Sequence, residues 1–363
     1  SGRNWDYRYC WLRDSAFTLG ALRRLGQFEE MQHFINYLGN IASGGEGRLQ
    51  PVYSISGERK LEEKILKDLP GYNGNGPVRI GNDAYLQAQN DVFGEMLASI
   101  APLFLDVRFD DHARAWSTGL FHKLIDSVEQ SFDLPDASLW EKRQEPKVHT
   151  FTLLMNWAGA RAAANVGRRT RDDALATRGE ALCRRAQALI DATWREKLGF
   201  YADSPDSMDA DASLFMLVNL GFLTPDNPHA ERHIVNLARR LAAHPPASAT
   251  APAGAANGLP SGVTNGRDYL LYRYLHDDGI GATHATFTVC GFWYAEALAR
   301  VGKVDEARRV FNGLMSHANH VGLLSEDIDP VSGALWGNFP QTYSHVGIIN
   351  AAFAISPAHS PLI

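Results

Sequence analysis

The chain has 363 residues, 45% apolar, 21% charged and 10% aromatic, and its 35 Lys and Arg stand against 41 Asp and Glu for a net charge of −6. That composition excludes intrinsic disorder, collagen-like repeats and small disulfide scaffolds, and an acidic chain without Lys/Arg runs lacks the positive footprint that a nucleic-acid backbone requires. The length allows two domains or one large barrel.

In chain order, helical text covers 15–25, 28–42, 83–104, 110–131, 150–166, 172–195, 208–220, 229–243, 284–301, 304–319 and 345–355, each bounded by Gly, Pro or an Asp, Asn, Ser or Thr cap. The clearest case is 172–195, where Leu175, Leu182 and Leu189 recur every seven residues and Ala186, Ile190 and Trp194 every four. Alternating strand patterns are scarce, and only short pieces such as 50–55 are expected to pair as hairpins. Long loops rich in Gly, Pro and aromatics occupy 44–82, 132–149, 196–207, 244–283 and 320–344, and loops of that length carry function or are disordered. The stretch 244–257 offers nothing to bury and is expected to be a mobile surface loop. About eleven helices at roughly 60 residues per hairpin fit six helical hairpins closed into a ring better than any short-repeat array.

Cys10, Cys183 and Cys290 are odd in number and far apart, which argues against a disulfide framework and for a reducing compartment. With no long apolar run, signal-peptide pattern or Asn-x-Ser/Thr sequon, the chain is expected to be a cytoplasmic protein without a membrane partner. It opens on Ser1 with dense text at once, the pattern of a piece that begins at a domain boundary.

The glycine-rich run Gly71–Gly81 lacks the Lys-Ser/Thr of a phosphate loop and follows no strand, and zincin, redox and nucleophile-elbow motifs are absent from the sequence. More informative are three places where carboxylates stand beside aromatics. The first is Trp11-Leu12-Arg13-Asp14-Ser15. Asp14 or Ser15 there could be a helix cap and Arg13 a solvated charge. Alternatively, Asp14 accepts from and Arg13 donates to sugar hydroxyls while the indole covers an apolar sugar face. The second is Leu139-Trp140-Glu141-Lys142-Arg143, where an indole against a carboxyl raises its pKa toward that of a general acid, with Lys142 and Arg143 pulling the other way. The third is Gly322–Pro330 with Gly337–His345, either an acidic turn or a site where Glu326 activates water for a bond that Glu141 protonates.

These residues make the chain resemble, from end to end, the bacterial members of glycoside hydrolase family 15, the glucoamylase, glucodextranase and trehalase-like group. The matching stretches are Asn4–Ser15, Pro77–Asn82, Gln87–Asp91, Leu139–Arg143 and Gly322–Pro330 with Gly337–Gln341, in the family's order. The resemblance implies an all-α fold, an (α/α)6 barrel with its pocket at one end, as a single domain over 1–363 lacking the N-terminal β-sandwich usual in bacterial relatives. It implies Glu141 as general acid and Glu326 as general base, and Trp11, Arg13 and Asp14 around the non-reducing glucose. Tyr85, Gln89 and Asp91 fall on another wall, and Trp140, Arg143, Arg273 and Tyr343 on looser substrate-lining positions. The expected substrate is an oligosaccharide or disaccharide with α-linked glucose, with no cofactor and no metal. One departure stands out, because His284-Ala285 replaces the Glu-Gly that the family pattern places in the loop 277–287, and His284 is therefore a specificity candidate. Lys142 similarly replaces an acidic residue of fungal relatives. The expected activity is inverting, exo-acting hydrolysis of α-glucosides. The departures keep two alternatives open: a sugar-binding barrel that has lost catalysis, and a prenyl-diphosphate enzyme using Asp277-Asp278 to hold magnesium.

Overall fold

A computed structural model of the chain describes residues 4–43, 48–109, 118–143, 146–243, 268–276 and 284–356. Asp277, Asp278 and the stretch 244–257 therefore lie outside the described residues. The contacts group the chain into two units, one holding the described residues up to Ile190 and one those from Asp191 onward.

In the first unit, helix α1 (Leu12–Leu25) begins three residues earlier than its sequence predicts. Neither Asp14 nor Ser15 caps it. The cap position is Trp11, in extended conformation, because Cys10–Trp11 (β1) pairs antiparallel with Val52–Tyr53 (β2) and hands the chain directly into the helix. Asp14 sits in the first turn, where its charge complements the helix dipole. Helix α2 (Glu29–Ser43) follows after the left-handed stop at Gly26. The 50–55 strand is thus real but closes on residues 10–11, not on a neighbouring hairpin arm. A further antiparallel pair joins Lys64–Leu66 (β3) to Val78–Ile80 (β4).

The continuous helix expected over 83–104 is broken. Asn82 accepts the Ala84 N–H and starts a single 3-10 turn, Asp83–Leu86. Gln87 then turns extended, and the backbone of residues 88–90 is engaged by the loop after Leu134: Ala137 donates to the Ala88 carbonyl at 2.9 Å and Asn90 N–H donates to Asp136 at 2.7 Å. Only then does α3 (Asp91–Ile100) begin. The unit is completed by α4 (Gly119–Ser131), α5 (Thr150–Thr170) and α6 (Asp173–Asp191). Helix α6 stops short of Trp194, which leaves the four-residue pattern of Ala186 and Ile190 to pair as Trp194–Arg195 (β5) with Phe200–Tyr201 (β6) in the second unit.

Further along the second unit the Asp211 carboxylate accepts the Ser213 N–H, so the helix expected from 208 starts as a 3-10 turn at Ala212. Helix α7 (Ala230–Leu241) packs on β6, and its His233 is fully buried, with Nδ1 accepting from Tyr201 N–H and Nε2 facing the Leu214 carbonyl. Helix α8 (Thr288–Arg300) starts after Thr286–Phe287 (β7), which adds to the hairpin Asp327–Ile328 (β8) and Leu335–Trp336 (β9). Helices α9 (Val304–Met315) and α10 (Thr342–Ile355) both pack on α8.

Two kinds of helix are present. In α3 and α8 nearly every residue is buried, whereas α2, α7 and α9 carry one apolar stripe and a charged face. The buried helices meet their neighbours through glycine. A Cβ on Gly94 in α3 would lie 2.2 Å from the Met155 carbonyl oxygen in α5, and one on Gly159 in α5 would lie 2.5 Å from the Gly94 Cα. This backbone contact sets where Asp91, at the start of α3, is presented. Gly94→Ala is accordingly expected to lower stability by about 1–3 kcal/mol through overpacking, read as a lower urea midpoint at unchanged m-value; an unchanged midpoint would mean that α3 and α5 are not in backbone contact.

Candidate active site

In the first unit the loop 132–149 is closed by paired hydrogen bonds between Asp136 and Lys147. Inside it a tight turn carries Glu141, whose N–H donates to the Ser138 carbonyl at 3.1 Å while Lys142 N–H donates to the Ala137 carbonyl at 3.0 Å. Ser138 and Glu141 both adopt left-handed conformations, with φ of 54° and 55°. Such conformations are costly for residues with a Cβ and recur at functional sites.

Three donors converge on one carboxylate oxygen of Glu141. Trp11 Nε1 donates to Oε1 at 2.6 Å, Arg13 Nη2 lies at 3.3 Å and Gln89 Nε2 at 3.4 Å. Oε2 meets no hydrogen-bonding group among the described residues. The indole on this carboxyl thus belongs to Trp11 and not to Trp140, its neighbour in sequence, which is half-buried. Arg13, far from solvated, is 3% exposed. It donates to Gln89 Oε1 at 2.5 Å and lies 3.6 Å from Asp91 and 4.0 Å from Asp14. Gln87 Nε2 donates to the main-chain carbonyl of Glu141 at 3.1 Å. Around Trp11 stand Tyr7, at 5.5 Å between ring centroids, and Tyr9 at 6.5 Å, while Tyr85 packs on the cluster of Trp11, Val52, Leu61 and Ala84.

Behind these groups lie three buried carboxyls. Burial raises Asp91, with the Arg13 charge pulling it back, and burial together with the nearby Asp91 pushes Glu95 well above the usual carboxylate range. Asp136 accepts from Asn90 N–H and from Thr152 Oγ1 at 2.9 Å, yet burial and Asp91 push it up to about 7.

Arg143 is directed elsewhere. Its guanidinium lies 4.0 Å from the centroid of Trp5, with Arg79 at 4.1 Å from the same ring, and Glu63 pairs with both, with Arg143 at 3.0 Å and with Arg79 at 3.2 Å.

In the second unit Glu326 stands at the start of β8. Its N–H donates to the Asn338 carbonyl and its own carbonyl accepts from Thr288 N–H, both at 2.9 Å. Asn338 donates twice to Glu326 Oε2, from its backbone at 3.1 Å and its side chain at 2.9 Å. Oε1 has no hydrogen-bonding partner among the described residues. Gly337, at φ 76°, permits this clamp, since a Cβ there would lie 2.9 Å from both Cβ and Oε2 of Glu326. Tyr343 is half-buried in the first turn of α10, and the adjacent Ser344 hydroxyl donates to the Ser325 carbonyl at 2.7 Å, anchoring α10 next to Glu326. Arg273 lies 5.1 Å from the Phe287 ring centroid, and His284 is exposed two residues before β7.

The structure therefore brings Trp11, Arg13, Asp14, Gln89 and Asp91 into one cluster with Glu141, and joins Tyr85 to it through Trp11. Sequence reasoning did not single out Gln87, Glu95, Asp136 or Asn338. Gln87 and Asn338 stand inside quoted motifs, whereas Glu95 and Asp136 read as ordinary helix and turn carboxylates. Among the described residues no group of three or more His, Cys, Asp or Glu is placed to hold a metal ion, and no helix is long and apolar enough to cross a membrane.

Comparison with known proteins places this geometry in context. The family model for Glycosyl hydrolases family 15 matches residues 1–353. The trehalase of Mycobacterium tuberculosis is 32% identical over 355 residues, covering 96% of this chain and 48% of that protein. The trehalase of Thermoplasma volcanium is 30% identical over 358 residues, covering 96% and 52%. The chain thus spans about half the length of the curated relatives it matches. Among solved structures, a bacterial glucoamylase complexed with acarbose superposes with a TM-score of 0.68 at 16% identity, covering 96% of this chain and 49% of that one. A glycosidase variant in complex with glucose gives 0.66 at 18% identity, covering 96% and 88%. These likenesses carry the all-α, (α/α)6 fold class expected from the sequence.

The buried carboxyls make a test by pH. Native Asp136 keeps its proton to about pH 7 while the unfolded chain releases it near 4. Between those values the native state binds more protons, so the stability contributed by this group is complete below about pH 4 and is lost as pH rises to about 7. His233, held down at about 4 by burial, works in the opposite sense over part of that window, so the measured quantity is the difference between wild type and Asp136→Asn. The variant is expected to gain on the wild type as pH rises through that window in denaturation curves. A pH-independent difference would mean that Asp136 is already ionised in the fold.

Proposed function

The chain belongs to glycoside hydrolase family 15, and from that premise we propose that it is an inverting, exo-acting α-glucoside hydrolase that releases β-glucose. One observation carries the reading: Glu141 and Glu326 each have one carboxylate oxygen held by donors and the other without a hydrogen-bonding partner among the described residues. Three donors on Oε1 of Glu141 leave Oε2 as the oxygen that carries a proton, which is what a general acid delivering to a glycosidic oxygen needs. Asn338 fixes Oε2 of Glu326 and leaves Oε1 to take a proton from water, the task of the base. Water attacking the face opposite the protonated leaving group inverts the anomeric carbon, turning an α-glucoside into β-glucose.

Arg13 and Asp14 then hold hydroxyls of the terminal glucose and Trp11 covers its apolar face, with Tyr85, Gln89 and Asp91 forming a further wall. Trp140, Arg143, Arg273, Tyr343 and His284 are kept as outer, specificity-setting positions. A site built around one chain end accounts for exo action. The trehalase relatives make trehalose the first substrate to try, ahead of maltooligosaccharides and dextrans. Three free cysteines, Cys10, Cys183 and Cys290, suit a reducing, cytoplasmic setting.

A second reading, a sugar-binding barrel without turnover, is favoured by His284-Ala285, where an exposed imidazole replaces the acid of the family pattern. Glucose release separates the two. Glu141→Gln and Glu326→Gln are each expected to lower kcat on the true substrate by about 10³-fold, and early proton NMR is expected to show β-glucose, accompanied by an equal amount of α-glucose as the leaving group when the substrate is trehalose. Near wild-type rates in either variant, or early release of α-glucose without β-glucose, would refute the mechanism, and calorimetric sugar binding without hydrolysis would favour the non-catalytic barrel.

A further inference from the structure

The Glu141 carboxyl is only as well placed as the backbone beneath it, and that backbone is left-handed. A single left-handed residue with a Cβ costs about 1–2 kcal/mol relative to its relaxed state, so the turn persists only if its surroundings fix it. Hydrogen bonds from Glu141 N–H to Ser138 and from Lys142 N–H to Ala137 form the turn, and the bond from Ala137 N–H to Ala88 ties it to the segment 87–90. The Glu141 carbonyl is engaged from outside the turn, by the side-chain amide of Gln87 at 3.1 Å.

Gln87 is also joined to the other end of Glu141. Its Oε1 accepts from Gln89 Nε2 at 2.9 Å, and Gln89 Nε2 also faces Glu141 Oε1 at 3.4 Å. Gln89 in turn accepts from Arg13 at 2.5 Å. A guanidinium can only donate, so this chain of amides has one direction. Arg13 donates to the oxygen of Gln89, the nitrogen of Gln89 donates to the oxygen of Gln87, and the nitrogen of Gln87 is thereby aimed at the Glu141 carbonyl. The buried charge of Arg13 orients both amides and, through them, the turn.

We propose that Gln87 is a positioning residue for the general acid: by donating to the Glu141 carbonyl it holds the left-handed turn in the one setting that keeps Oε1 on Trp11, Arg13 and Gln89 and turns Oε2 toward the departing oxygen. The proposal rests on Glu141 being the acid. It goes beyond that reading by assigning a role to a side chain that touches neither the carboxyl nor the reacting atoms. Losing the bond frees the turn to relax, and a carboxyl displaced by about 1 Å loses on the order of 10² in rate.

The distinguishing property of an acid-positioning residue is its dependence on the leaving group. An alcohol must be protonated as it departs, whereas fluoride leaves with little help. The experiment compares kcat and KM on the α-glucoside the wild type hydrolyses and on α-glucosyl fluoride, for wild type, Gln87→Leu, Gln87→Glu and Glu141→Gln. Gln87→Glu keeps an acceptor for Gln89 and loses the donor to Glu141. Both Gln87 variants are expected to lose about 10- to 100-fold in kcat on the glucoside, with KM within twofold, and to keep near wild-type turnover of the fluoride, which also shows that they are folded. Equal losses on both substrates, or wild-type kcat on the glucoside, would overturn the positioning role. Glu141→Gln tests the underlying assignment by itself: if it loses the glucoside and keeps the fluoride while Gln87→Leu loses neither, the acid assignment stands and only the role of Gln87 falls.

Discussion

A guanidinium that is 3% exposed governs the arrangement of the first unit. Removing an unpaired cation from water costs several kcal/mol, so Arg13 is tolerable only where opposite charges and acceptors surround it. These come from three separate stretches: Asp14 from its own helix, Gln89 and Asp91 from the segment entering α3, and Glu141 from the loop 132–149. Each stretch departs from regular structure where it reaches Arg13. Helix α1 starts without a side-chain cap, the expected helix over 83–104 is interrupted, and the backbone at Glu141 turns left-handed. The local irregularities thus meet at one buried charge.

The same burial gathers more acids than one cation can balance. Asp91, Glu95 and Asp136 are all at most 1% exposed, and burial favours the protonated form of each. Asp91, Glu95 and Asp136 are each shifted in that direction by burial, before any neighbouring charge is considered. At Asp91, 3.6 Å from Arg13, the cation works against that trend, whereas Glu95 is pushed further up by Asp91. Such a setting has a low effective dielectric, in which the donors on Glu141 Oε1 act more strongly than they would in water.

Elements with a local signal were legible in the sequence. Helices α2, α5, α9 and α10 and the left-handed stop at Gly26 follow from periodicity and stop residues, and the carboxylate-aromatic motifs pointed to Glu141 and Glu326. What was misread depends on partners far along the chain. Arg13 looks like a surface charge until Gln89 and Asp91, more than 70 positions away, are folded onto it. Trp140 looks like the indole beside Glu141 because it precedes it, but the indole that reaches the carboxylate comes from Trp11. Trp194 fits the four-residue spacing of Ala186 and Ile190 in α6 and leaves it to pair with Tyr201. Periodicity reports one-dimensional amphipathicity, and a two-residue strand pair has none to report.

The two carboxylates also show different solutions to one backbone problem. A side chain aimed out of a tight turn often requires a left-handed residue nearby, and glycine is the inexpensive choice. At Glu326 the chain makes that choice: Gly337 takes the positive φ and the close approach, and Glu326 itself stands immediately before strand β8 with no positive φ. At Glu141 the residue at the left-handed position is also the one whose carboxyl accepts from Trp11, Arg13 and Gln89, so a glycine there would lose those bonds and the strain stays on the carboxylate residue. Ser138, three positions earlier, carries a second left-handed conformation in the same turn. Strain in one turn has to be offset by bonds that a relaxed turn would not keep. They are present: Asp136 bridges to Lys147 and accepts from Asn90 and Thr152, Ala137 donates to Ala88, and Gln87 donates to Glu141. The number of contacts spent on this loop, compared with the two-donor clamp at Glu326, follows from the absence of a glycine where the acid must stand.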